Sequence, residues 1–359
     1  MFPIGGIDKV IINIANMWSD LGYDVRLLSP RTIQSDAAKL IKPDILEASA
    51  GFHGHWIKRL PHFVRLLAYV WRDGGVIVGL WPDDNIRASL LKALMPRRVR
   101  ALISEHCDYR WPTPRTRALC NWTYRFADCS WTLAQSSYRP RSRNNLTIPN
   151  FISTPSLRRT PSHRENLFVA LGHLIDRKNF VEIVRAVHRL RDVFEVGGWK
   201  VEIYGTGPKR STLEAEIGRL GLSSYIKLCG YSADAYKQLA RSKCLILSSK
   251  SEAFPIVFLE ALAVGNFVIT SRFSAAVDDI FREPAFFGVY ETGQPEQLAE
   301  EMRRFIKTYA SDDAFSKVAV ENERYFQRHF SEEAVSALWR DALSGILFNH
   351  DPSTSGSRA

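Results

Sequence analysis

Apolar residues fall along this chain in two periods. Stretches of strand length, apolar or alternating, recur at Asp24–Leu28, Val76–Leu80, Val99–Ser104, Ser130–Ala134, Leu146–Pro149, Leu167–Leu171, Lys200–Tyr204, Ile226–Cys229 and Phe267–Ile269. Between them apolar positions repeat at helical spacing. Ile7–Leu21 shows it at Ile7, Val10, Ile11, Ile14, Met17 and Trp18. The same spacing predicts helices over Ile86–Leu94, Phe180–Phe194, Ser211–Leu220, Ala233–Arg241, Gln294–Ala310 and Glu332–Phe348, with Ser211 as a cap and Glu214 as its box partner. Strand and helix alternate in both halves. That predicts an α/β protein of two Rossmann-like, parallel-sheet domains facing across a cleft.

The polar stretch 150–166, with Pro155 and Pro161, reads as the linker. The domains are then 1–149 and 167–330, followed by a C-terminal helix over 331–348 and a Ser/Gly tail over 349–359. A doubly wound domain ordinarily has a buried strand before its first glycine loop. Only four residues precede Gly5-Gly6, too few for that strand: either the start is misplaced, or the chain is truncated, or the first domain lacks its first strand.

The segment Ser248–Ser271, SSKSEAFPIVFLEALAVGNFVITS, carries two carboxylates in otherwise apolar surroundings. Leu245–Leu247 ends as a strand, Pro255 can open a helix, and Gly265 can stop it. Glu252 precedes that helix and Glu260 lies within it. A charge among apolar residues is costly unless paired or bound, and a helix start beside it attracts anions. The pair therefore suits a ligand with hydroxyls and phosphates. The alternative is that both glutamates face solvent.

Charge is unevenly distributed. Residues 1–150 hold 21 Lys/Arg against 12 Asp/Glu, a net of +9, whereas residues 151–359 hold 27 against 26, a net of +1. The first half is thus expected to meet an anionic surface, membrane or nucleic acid. Two segments there interleave arginine with aromatics: His53–Arg72 and Tyr109–Arg125. Each fits either a membrane-surface helix or an ordinary helix with a solvated basic face. No nucleic-acid motif accompanies the charge. No apolar run approaches the ~20 residues that cross a bilayer, and Asp8 and Asp20 argue against a signal peptide. The five cysteines, at 107, 120, 129, 229 and 244, show no metal-finger spacing and fit a reduced, cytoplasmic setting.

Further candidates stand where strands end. Gly5-Gly6 before a helix fits a phosphate approach or a plain turn. His106 follows the strand Val99–Ser104, at the end where α/β ligand sites lie, and is a candidate ligand-contacting or catalytic residue, with a structural histidine as the alternative. His173, Arg177 and Lys178 form a cationic loop before a helix, suited to a diphosphate or simply solvated. Gly205 and Gly207 follow the strand Lys200–Tyr204, and Gly230-Tyr231 follows Ile226–Cys229.

The stretches LGHLIDRKNF, YGTGPKRSTLEAEIGRLGL, IKLCGY and SSKSEAFPIVFLEALAVGNFVITS together resemble the donor domain of retaining, GT-B-fold glycosyltransferases of glycosyltransferase family 4. IGGIDKVIINIANMWSDLGYDV, LISEHCD and LTIPNFI resemble its first domain more loosely. Glu252 and Glu260 occupy the two positions of the family's E-x(7)-E motif. The resemblance implies that Glu260 binds the ribose of a nucleotide sugar and Glu252 the hydroxyls of the transferred sugar. Phe254, Pro255 and Ile256 would then lie near sugar and diphosphate, Lys178 on the phosphate, and Gly230 and Tyr231 beside the base. Gly5, Gly6 and His106 would close on the donor from the first domain. His173 stands where the family usually has Arg, and Arg177 is placed to supply that charge. No Asp-x-Asp motif is present, so neither metal nor cofactor is expected.

The function so implied is retaining transfer of a sugar from a UDP- or GDP-sugar to a glycan or lipid-linked acceptor, in surface polysaccharide or glycoconjugate synthesis. The protein would be cytoplasmic or peripheral on the cytoplasmic face of the membrane. The alternative is a nucleotide-sugar-binding or membrane-associated scaffold of the same fold without transfer activity.

Overall fold

A computed structural model describes residues 6–27, 40–42, 45, 60–104, 113–135, 142–153, 164–281 and 287–348. The chain divides into two compact units. One is Met1–Phe151 with Glu332–Ala359, the other Ile152–Ser331. The C-terminal helix thus belongs to the first unit.

In the first unit four parallel strands lie in the order β1-β2-β3-β4: Gly75–Gly79, Val99–Ser104, Cys129–Thr132 and Asn144–Thr147. The helices Pro82–Leu94 and Pro114–Thr123 connect β1 to β2 and β2 to β3. Inside the fold, Lys92 Nζ lies 3.0 Å from Asp128 Oδ1, and Asp128 Oδ2 accepts the Ala101 N–H at 2.9 Å. The helices Gly6–Asp20 and Glu332–Phe348 meet through indoles. Trp339 is fully buried, with ring centroids 5.0 Å from Trp18 and 4.7 Å from Trp131, both edge-on. Edge-on aromatic pairs place the positive ring edge against the negative face. The extended segment 23–27 forms only a bridge at Leu27, and residues 28–39 lie outside the described residues, so the strand Asp24–Leu28 is not seen as a ladder strand.

The second unit holds six parallel strands in the order β10-β9-β8-β5-β6-β7. They are β5 Glu165–Leu171, β6 Lys200–Tyr204, β7 Ile226–Gly230, β8 Ser242–Leu247, β9 Phe267–Ser271 and β10 Phe287–Tyr290. All residues of β8 and β9 are buried, as befits central strands of a sheet covered by helices.

Three local expectations change. The predicted helix Phe180–Phe194 is two helices, Val181–His188 and Arg191–Gly197. Between them Leu190 turns non-helical and is fully buried in the core that also takes Phe194. Ser211 is not a cap: the helix starts at Arg210, and Glu214 pairs with Arg210 at 2.9 Å. Helices Ala276–Ile280 and Asp312–His329, and strand β10, complete the unit beyond the elements predicted. Gly265 ends the helix Ile256–Ala263 as expected. Its φ is +73°, and a Cβ there would meet the Ala319 carbonyl oxygen at 2.8 Å. No described helix is long and apolar enough to cross a membrane.

Candidate active site in the second unit

From β5 the chain runs outward through β6 and β7, then returns to place β8, β9 and β10 on the other side of β5. β5 and β8 are therefore the neighbours at which strand order reverses. Beyond the carboxyl ends of such strands the two following loops part and leave room for a ligand.

The loop after β5 carries Arg177 and Lys178 in a short 3-10 turn, 176–178. Asn179 closes that turn at φ 51°, the only described non-glycine residue at positive φ. An Asn side chain tolerates this left-handed conformation better than most. The loop after β8 carries Glu252. Lys178 Nζ lies 2.5 Å from Glu252 Oε1, and Arg177 Nη1 lies 3.4 Å from Oε2 and 3.3 Å from the Ser251 carbonyl oxygen. The two loops are also joined through the backbone. Lys250 N donates to Arg177 O at 2.7 Å, and Ser248 Oγ to Lys178 O at 2.8 Å. Ser249 Oγ donates to Glu252 Oε1 at 2.8 Å, while Ser271 Oγ, from β9, holds Ser249 O at 2.6 Å.

Burial pushes the Glu252 carboxyl up. The charges of Lys178 and Arg177 and the hydrogen bonds from Lys178 and Ser249 outweigh that effect, and its pKa falls below the ordinary 4.5. Glu252 is thus an ionised acceptor at neutral pH. Glu260 sits on the helix Ile256–Ala263 and is only 4% exposed. Tyr236, on the helix Ala235–Arg241, has its phenol pushed well up by burial and then by the Glu260 carboxylate. The solvent-facing alternative for both glutamates is therefore excluded.

Phe254, Pro255 and Ile256 are buried at the start of that helix, with Pro255 at the cap position and no side-chain cap. The first-turn N–H groups of a helix lack intrahelical partners and point toward whatever lies before it. Gly205 and Gly207 bring the loop after β6 against the loop after β5. A Cβ on Gly205 would stand 1.8 Å from Gly172 O, and one on Gly207 2.5 Å from Leu174 O. Gly205 N donates to Gly230 O at 2.7 Å, which ties in the end of β7. Tyr231 projects from that end with 59% exposure, and His173 is exposed. The structure thus assembles Lys178, Arg177 and Glu252 by direct contact. It places Gly205, Gly207 and Gly230 on one stitched edge and Glu260 on the adjoining helix. Gly6 opens the helix Gly6–Asp20 in the first unit; Gly5 and His106 lie outside the described residues.

Sequence reasoning missed the second layer. Asn179 Nδ2 donates to Glu182 Oε2 at 2.6 Å, and Tyr290 OH donates to the same oxygen at 3.3 Å. Glu182 is 2% exposed, and burial raises its pKa. The clustering of Ser248, Ser249 and Ser251 after the strand is the sequence signal for the serines that hold this loop. No group of three or more His, Cys, Asp or Glu among the described residues is disposed to hold a metal ion.

Residues 156–321 match the family model for glycosyl transferases group 1. The amylovoran biosynthesis glycosyltransferase AmsD of Erwinia amylovora is 21% identical, over 95% of this chain and 96% of AmsD. An exopolysaccharide phosphotransferase of Streptomyces coelicolor is 28% identical over 43% of this chain, and the match spans only 16% of that protein. Among solved structures, Anabaena HepE in complex with UDP and glucose superposes with a TM-score of 0.76 at 15% identity, covering 96% of this chain and 97% of HepE. The fold is that of the GT-B glycosyltransferases.

Proposed function

We propose, from the match of residues 156–321 to the glycosyl transferases group 1 model, that the protein transfers a sugar from a nucleotide sugar to a glycan or lipid-linked acceptor, with retention at the anomeric carbon. The observation that carries the reading is the contact between Lys178 and Glu252, which joins a cation and an ionised carboxylate at the β5–β8 reversal. Lys178 has three donors and gives one to Glu252, which leaves donors for phosphate oxygens. A carboxylate accepts two hydrogen bonds from a vicinal diol, the role assigned to Glu252 on the transferred sugar and to Glu260 on the ribose.

In the reaction proposed, the bond from the anomeric carbon to the diphosphate oxygen breaks. A bond to the acceptor oxygen forms on the same face, and the leaving phosphate takes the acceptor proton. Negative charge grows on the diphosphate as that bond breaks. Lys178, Arg177 and the start of the helix Ile256–Ala263 meet it with fixed positive charge and N–H groups. This arrangement calls for no divalent metal, and donor affinity is expected to be unchanged by EDTA. A UDP- or GDP-sugar is the donor class proposed; the UDP in HepE supports the former. Surface polysaccharide is the product class, supported by AmsD.

Thermal-shift titration with UDP, GDP and their sugars, followed by product analysis, tests the reading. A donor is expected to stabilise the wild type and to lose that effect in Glu252→Ala and in Glu260→Ala. No response to any nucleotide sugar in the wild type would overturn it. Donor binding without transfer to any acceptor would favour a binding-only protein.

A further inference from the structure

The edge of the first sheet opposite the carboxyl ends of its strands carries an unusual set of side chains. Trp71 precedes β1, Leu94 and Arg97-Arg98 precede β2, Trp122 and Arg125 precede β3, and Arg143 precedes β4. Parallel strands put all their starts on one edge, so topology alone collects these residues. They are exposed: Leu94 by 71%, Trp71 by 70%, Trp122 by 50%. These are the exposed tryptophans among the described residues.

Each indole is paired with a guanidinium. Arg98 lies over the Trp71 ring, 5.7 Å from its centroid, and donates to Trp71 O at 2.7 Å. Arg125 lies over Trp122 at 5.3 Å. The acidic groups of this edge are already engaged. Asp73 pairs with Arg72 and Arg26, Asp24 with Arg26, and Asp128 with Lys92 in the interior. The edge therefore presents net positive charge together with protruding apolar surface.

We propose that this edge seats on an anionic lipid bilayer. Tryptophan settles at the headgroup level of a membrane, with its ring toward the acyl chains and its N–H in water. Arginine beside it can bind lipid phosphate in a bidentate manner, and anionic lipid attracts such clusters. A nucleic acid would use the arginines but would leave Leu94 and the nearby Leu119, 44% exposed, without a role. The sequence places basic-aromatic character along 53–72 and 109–125; of their described residues, Trp71, Trp122 and Arg125 are exposed at this edge.

Co-sedimentation with vesicles tests this independently of any nucleotide or acceptor. Vesicles of phosphatidylcholine with about a third phosphatidylglycerol are expected to bring the protein down, and phosphatidylcholine alone to leave it in solution. Raised salt should weaken the binding. Arg97→Glu with Arg125→Glu should lower affinity at least about tenfold, and Trp122→Ser should lower it at unchanged charge. Arg303→Glu, an exposed charge reversal in the second unit, should not. Circular dichroism establishes that each variant is folded. Equal binding to both vesicle types, no binding to either, or vesicle binding unaffected by these variants would overturn the proposal. So would RNA binding that the variants abolish in the absence of vesicle binding.

Discussion

Glu182 and Tyr290 stand 108 positions apart in sequence, yet the phenol of Tyr290 donates to Glu182 Oε2 at 3.3 Å. This contact joins the helix after the cationic loop to the end of β10. Glu182 and Glu252 are both largely enclosed, but their surroundings act on them in opposite directions. Desolvation prevails at Glu182, while Lys178 and Arg177 prevail at Glu252.

Glu182 binds its proton more tightly in the folded protein than in the unfolded chain, so it withdraws stability as pH rises above about 4.5. Glu182→Gln keeps a neutral group of the same shape and removes that loss. The difference in stability between the variant and wild type should move in the variant's favour as pH rises from 5 to 8. Urea melts at the two pH values measure the difference.

At Glu252 the sign is reversed. Its folded pKa lies below the unfolded one, so its stabilisation is complete above the unfolded value of about 4.5 and is lost as pH falls through the folded value. Lys178→Met removes the nearest cation from a carboxylate that is 11% exposed. With Arg177 and Ser249 still on the carboxylate, the variant should lose about 2 kcal/mol at pH 7 and converge on wild type in acid. A pH series of melting temperatures would show the convergence.

Asp128 in the first unit meets Lys92 and the Ala101 N–H away from solvent. Asp128→Ala strands both a buried ammonium, otherwise held by the carbonyls of Pro96 and Val99, and a backbone donor. A cost of about 3–5 kcal/mol is expected, with Asp128→Asn less damaging because it still accepts from Ala101. Chemical denaturation of the full chain gives both values.

Two glycine substitutions should diverge. Gly205→Ala drives a methyl group to 1.8 Å from the Gly172 carbonyl oxygen, so the loops after β5 and β6 must separate. A loss of about 3 kcal/mol follows. Gly218→Ala lies on the helix Arg210–Arg219, where a Cβ meets nothing within 4 Å. It should gain about 0.5–1 kcal/mol through helix propensity and a less flexible unfolded chain. Thermal melts of the two variants side by side check the divergence.

Strands β2 and β6 were legible, β2 as an apolar run of strand length and β6 as an apolar-polar alternation, and the pattern located both to the residue. Glu252 and Glu260 could be singled out because carboxylates in an apolar segment demand a reason. The contact of Lys178 with Glu252 could not be read, since 74 positions separate them and only the strand order brings them together. β10 escaped notice because four residues containing a glycine carry little periodic signal. The break at Leu190 is set by core packing, which leaves no mark on helical spacing. The tryptophans at the sheet edge look in sequence like any amphipathic helix, and only exposure in the fold distinguishes them.

The indole of Trp339 sits between those of Trp18 and Trp131, and it arrives from the far end of the chain. The first unit is thus left open when the chain departs at Phe151 and is closed only by residues after Glu332. On the ribosome the second unit, continuous from Ile152 to Ser331, is fully synthesised before the first has its last helix. The earlier-translated unit is therefore the later to be finished. A chain cut short before Trp339 would release a completed second unit tethered to a first unit with an apolar gap between two tryptophans.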